Sequence, residues 1–223
     1  MGWYMTYQAL PDDPHWWARV LGDGESRENL GRLPIYVRWG GNAPGAGRLG
    51  READALVRAV PGIEHRHFDL GGWAHSLHHL LSEVEAARRR DPGSDPGGVV
   101  DPGEDDDRSD RSDLSTLAIR GARAVTWEGA EVVTGSGIPV CYTPPAAVVR
   151  AATFLEGVAD SELRELGDPD VPAASGARHG ASGERYRIFP EEEWPPTLVL
   201  LRGLRRFYWE VAVHGEGVLV CLT

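Results

Sequence analysis

A small α+β domain is the fold class this sequence predicts, and three observations predict it. Residues 73–87 and 198–211 carry the 3.6-residue period of amphipathic helices. Short β-prone runs lie near the two ends, WYMTYQA at 3–9 and VLVCL at 218–222. The 223 residues are enough for one core, and an apolar share of 41% leaves part of the chain for solvated loop. The expected architecture is a single compact domain of several helices packed on a small mixed or antiparallel sheet. Residues 1–90 and 114–223 form its two parts, with a disordered acidic insertion at 91–113 between them.

Each element has its own warrant. Residues 14–21 read as a helix, with Pro14 suited to a first helical position and Trp16, Trp17, Val20 and Leu21 at helical spacing. Residues 34–39, within LPIYVRW, read as a strand, GGNAPGAGRLG at 40–50 as a glycine-rich loop, and 51–60 as a short helix. The next helix is the clearest. Trp73, Leu77, Leu80, Leu81, Val84 and Ala87 share one face, and Arg88, Arg89 and Arg90 end it where the helix dipole favours cations. Asp91-Pro92-Gly93 then stops it.

The segment 91–113 repeats DPG three times and sets nine acids against Arg108 and Arg111. So few apolar groups among so many like charges do not offset the entropy of ordering. TLAIRGARAVTW, 116–127, reads as two short strands broken at Gly121. CYTPPAAVV then turns into a helix, with Thr143 as N-cap, Pro144 at the first helical position, and Val148, Val149, Ala152 and Leu155 as its apolar stripe. Ser161 caps a second short helix, and 168–184 is a polar loop. Pro195 and Pro196 open the last helix, where Leu198, Leu201, Leu204, Tyr208 and Val211 repeat at threes and fours.

Composition excludes several functions. The formal net charge of −11 repels phosphate backbones, so nucleic acid is not an expected partner. All 23 basic residues are arginine, which removes Schiff-base, P-loop and kinase-type lysine chemistry. Cys141 and Cys221 stand alone in apolar stretches and read as buried free thiols of a reducing compartment. No run of 18 apolar residues suggests a membrane span, and no charged-then-apolar leader opens the chain, so the cytoplasm is expected.

Motifs for catalysis are scarce. GAGRLG at 45–50 spells GxGxxG, but Gly45 comes six positions after Trp39 and the following PGIEHRHFD is polar, so no dinucleotide is expected. Glu191-Glu192-Glu193 precede a helix start, where the dipole stabilises negative charge anyway. Three histidines crowd GWAHSLHHLLSEV. At 100° per residue from Trp73, His75 and His79 fall at about 200° and 240°, away from the core, and His78 at about 140°, at its edge. A catalytic zinc needs three ligands in a protected cleft, so no metal and no cofactor is expected, even with His65 and His67 nearby.

Taken together, MGWYMTYQAL, FDLGGWAHSLHHLL, PVCYTPPAAVV and YRIFPEEEWPPTLVLLRGLRRFYWEVAVHGEGVLVCL resemble the DUF1877 (YfbM-like) family of bacterial proteins. The best-fitting parts are the Trp73–Leu77–His78–Leu80–Leu81 helix, and the last helix with Phe207 and Tyr208 before a terminal strand. The family usually has an arginine before a tyrosine at its turn into a helix, whereas Cys141 precedes Tyr142 here. The resemblance implies a compact cytoplasmic α+β domain with no established activity.

Two functions follow as expectations. The first is a non-catalytic protein-binding domain, of the immunity or antitoxin type, whose acidic surface meets a basic protein through Trp73, Trp194 or Tyr142. The alternative is a small-molecule-binding protein or enzyme with a pocket near His78, Tyr142 and Glu191–Glu193.

Overall fold

The computed structural model describes residues 4–40, 45–90, 113–134, 137–167 and 194–222. The insertion expected at 91–113, except for Asp113, lies outside them, as do the 168–184 loop and Glu191–Glu193. In chain order, β1 (Met5–Leu10) leads to α1 (Pro14–Gly22), whose cap Asp13 accepts the His15 N–H at 2.9 Å. α2 (Gly24–Glu28), a 3₁₀ turn, α3 (Leu33–Trp39) and α4 (Gly47–Ala59) follow. A second 3₁₀ turn, Ile63–His65, opens β2 (His67–Gly71), and α5 (Ala74–Arg90) comes next. α6 (Leu114–Arg120) precedes four short strands: β3 (Arg123–Ala124), β4 (Thr126–Trp127), β5 (Ala130–Glu131) and β6 (Cys141–Thr143). α7 (Pro145–Gly157), α8 (Asp160–Gly167), α9 (Trp194–His214) and β7 (Gly217–Leu222) complete the described chain.

Five strands form one sheet in the order β2-β1-β7-β6-β3, with every pairing antiparallel. This is the α+β domain the sequence predicts, with the sheet antiparallel rather than mixed. The last strand sits in the middle, between β1 and β6. That position explains why VLVCL is a continuous apolar run: both of its faces are covered. Side chains alternate faces along a strand. Tyr7 and Val220 are partners, and Val220 also pairs with Cys141, so these three share one face. The Tyr7 hydroxyl bonds the Ile119 carbonyl of α6 there at 2.8 Å. Gln8, Leu219 and Tyr142 point the other way; Gln8 Nε2 reaches the Ile63 carbonyl at 3.0 Å, and Tyr142 meets Trp17 of α1.

Some expected elements change type. LPIYVRW is helix α3, not a strand. Leu33, Tyr36 and Val37 are buried at helical spacing while Ile35 and Trp39 face solvent, so its β-branched residues divide by a 3.6-residue period. The glycine-rich loop ends early because α4 already starts at Gly47. TLAIR, expected as a strand, belongs to α6. Thr143 ends β6 instead of capping a helix, and Pro144 takes the cap position of α7. Its buried stripe is Ala147, Val148, Ala151, Phe154 and Leu155, with Val149 turned outward. For α9 and β7 the expected stripe holds: Leu198, Leu201, Leu204, Tyr208 and Val211 are all buried.

Candidate functional site

The site is built around α6, a helix of seven residues. So short a helix is not stable by itself, and its free N–H and C=O groups need partners. Glu85, buried on α5, supplies the first set. One carboxylate oxygen accepts the Leu114 N–H at 3.0 Å; the other accepts the Ser115 N–H at 3.1 Å and the Ser115 hydroxyl at 3.0 Å. Two buried tyrosines hold the other end. Tyr208 donates to the Ala118 carbonyl at 2.9 Å, and Tyr7 to that of Ile119. Burial pushes both phenols above the usual tyrosine range, so they stay neutral donors. Gly121 ends the helix at φ +86°, where a Cβ would also stand 3.1 Å from that of Cys141.

This arrangement sets Ile119 and Arg120 against the first turns of α5. The His78 ring reaches α6, its Nε2 lying 3.2 Å from the Thr116 hydroxyl. Between α5, α6 and the sheet lies a cavity of about 440 Å³. Met5, Ile119, Ile138, Val220 and Leu222 wall it. Its polar groups are His75, His78, Arg120 and Cys141. Burial above all, then the Arg120 guanidinium and the neighbouring His75 and His79, lower the His78 pKa to about 4, against a smaller opposing pull from Asp113. The imidazole is therefore uncharged at neutral pH. Burial and then Glu131 push the Cys141 thiol up, with Arg120 opposing, so it stays protonated. Cys141 and Cys221 are both free thiols.

The residues singled out from sequence fall in different places. His78 lines the cavity and His75 its exposed rim, while His79 is half-buried. Tyr142 does not share that pocket. It points to the opposite face of the sheet, buried, with its ring 4.9 Å from that of Trp17 and its hydroxyl 3.4 Å from Asp12 Oδ1. Trp73 is half-buried in a separate shallow hollow beside Tyr4, Arg38 and Asp69. Trp194 begins α9, its side chain outside the described residues, as are Glu191–Glu193. Among the described residues, no group of three or more His, Cys, Asp or Glu side chains is placed to hold a metal ion. No described helix is long and apolar enough to cross a membrane.

No protein-family model and no curated protein matches the sequence. The fold is similar to that of a solved structure, the protein of unknown function YfbM from Escherichia coli. That protein is 12% identical over 99% of each chain, with a TM-score of 0.47.

Sequence reasoning missed Arg120 and Ile119. Their signal was present: a cation followed by glycine, Arg120-Gly121, is the mark of a helix end. It is hidden because LAI, 117–119, is a short apolar run, and such a run does not distinguish a strand from a buried helix. From sequence Cys141 reads as a buried thiol, standing where the resembled family usually has an arginine; its place on a cavity wall depends on the pairing of β6 with β7.

Proposed function

We propose that the protein binds a small molecule in the cavity between α5, α6 and the sheet. The observation that carries this reading is the combination of an apolar, sheet-backed cavity of about 440 Å³ with a few convergent polar groups, His78 and Arg120, at its opening. Binding pockets are typically about 300–1,000 Å³ and built this way. Binding suits the site better than covalent chemistry, because a thiol kept protonated is a wall rather than a nucleophile. The test is native mass spectrometry of the chain purified gently from its own host. Wild type should carry a stoichiometric small molecule, and Ala74→Leu, which adds bulk to the cavity lining, should not. A bare wild-type chain counts against the reading.

A second reading, a protein-docking face, is favoured by the outer side of α9. Val199, Trp209 and Val213 are each at least 60% exposed there. Large exposed aromatics are typical anchors of protein interfaces. Arg206, exposed on the same helix, suits an acidic partner better than the basic one that the net charge suggests, whereas Arg202 is already paired with Asp160. A partner retained by wild type and lost with Trp209→Ala, at unchanged melting temperature, would favour this reading.

A further inference from the structure

We propose that the cavity takes a small apolar monoanion: an organic acid with one carboxylate on a compact hydrocarbon body, the carboxylate on Arg120 and the body against the sheet. This rests on the reading of the cavity as a binding site. The body follows from the walls. Met5, Ile119, Val220 and Leu222 offer no side-chain donor, and the backbone of β1, β6 and β7 behind them is committed to the sheet ladder. A polar group set against such walls gives up water and receives nothing in return.

The anion follows from Arg120. Arg66, Arg88, Arg89 and Arg205 each hold a carboxylate of the protein. The Arg120 side chain is exposed and makes no ion pair or hydrogen bond among the described residues; what sets it apart from other exposed arginines is that it lines the cavity, where it acts electrostatically on both His78 and Cys141. A guanidinium is built for a carboxylate, which it holds through two parallel hydrogen bonds. The single charge follows from the surroundings. His78 is uncharged at neutral pH and adds a polar contact without a second cation. Glu131 lies close enough to act on the Cys141 thiol, and its carboxylate opposes a second negative charge in the ligand.

The test uses the full chain with ¹³C-methyl methionine. Met5 lines the cavity, and its methyl signal is the one that a Met5→Leu variant loses. Octanoate, 1-octanol and octyl phosphate are titrated at pH 8, where exposed imidazoles are uncharged. Octanoate should move the Met5 methyl signal to saturation and bind about tenfold or more tightly than octanol. Arg120→Gln should bring octanoate down to the affinity of octanol and leave octanol unchanged, while Arg120→Lys keeps part of the preference. Equal binding of octanoate and octanol by wild type overturns the anion and leaves the cavity reading standing, and this comparison needs no variant to fold. Tighter binding of octyl phosphate overturns the single charge. A Met5 signal that none of the three moves at millimolar concentration overturns both the inference and the reading beneath it.

Discussion

Glu216→Gln should destabilise this protein more than an exposed charge change does. Arg66 and Glu216 are each 5% exposed. Their contact is bidentate, Nε to Oε2 at 2.7 Å and Nη2 to Oε1 at 2.6 Å. Glutamine keeps one acceptor oxygen for the guanidinium but removes the charge and turns an NH2 donor towards a second cationic donor, leaving the buried Arg66 with that oxygen and the Pro61 carbonyl, 3.3 Å from Nη1. Breaking one side of such a pair costs about 3–5 kcal/mol. At ~2–4 °C per kcal/mol for a chain of this size, the melting temperature should fall by about 6–20 °C. The double variant Arg66→Met/Glu216→Leu removes both charges and should recover most of the loss, because much of the single-variant cost is the stranded partner. Urea unfolding of wild type, Arg66→Met, Glu216→Leu and the Met/Leu double variant gives the coupling energy. A loss under about 1 kcal/mol for Glu216→Gln, the level of exposed pairs, would refute the reasoning. So would a double variant as damaged as the two singles added together. The pair lies beside the Leu10 end of β1, where Leu10 meets Gly217, while the cavity abuts Met5, roughly 17 Å along the strand. Ligand affinity per folded molecule should therefore stay at the wild-type value.

The remaining predictions address the site's supports. His78 has a folded pKa of about 4 against an ordinary 6.5, so below that ordinary value the unfolded chain binds the extra proton first. Stability from its neutral ring is thus fully present above about pH 6.5 and is lost as pH falls towards 4; His78→Gln should flatten the stability–pH curve in that window, and an unchanged slope would assign it to other groups. Glu85→Ala leaves the Leu114 and Ser115 N–H groups without their acceptor and should cost about 1.5–3 kcal/mol in urea unfolding, with α6 amides exchanging faster than those of α9. Gly217→Ala places a Cβ 2.5 Å from Tyr142 Cζ and should cost about 1–3 kcal/mol by thermal melting; Tyr142→Leu in the same chain should recover part of it.

The two halves of the candidate site differ in how far the sequence showed them. His78 was legible as an edge-of-core residue because α5 carries its own amphipathic pattern, and a wheel drawn from Trp73 puts it at about 140°, whereas His79, which the wheel turns away from the core, is half-buried. Arg120 and Cys141 were not, because neither has a pattern of its own. One ends a helix that looks like a strand, and the other lies on a three-residue strand. The pocket drawn through His78 and Tyr142 came apart for a similar reason. Cys141 and Tyr142 are neighbours in the chain, but alternation along β6 sends them to opposite faces of the sheet.

The sequence by itself determined the elements whose burial repeats along their own length. α1, α5, α9, β1 and β7 were each readable because the period and the capping residues are local to them. Only the tertiary structure decided that LPIYVRW and LSTLAIR are helices. A seven-residue helix holds too few hydrogen bonds to form alone, and the partners that complete α6 come from Tyr7, Glu85 and Tyr208, distant in the chain. It also decided that β7 takes the centre of the sheet, and so that Met5, His78, Arg120 and Cys141 surround one cavity. That meeting depends on strand order and on which face each side chain takes, and neither is encoded in any single stretch of the chain.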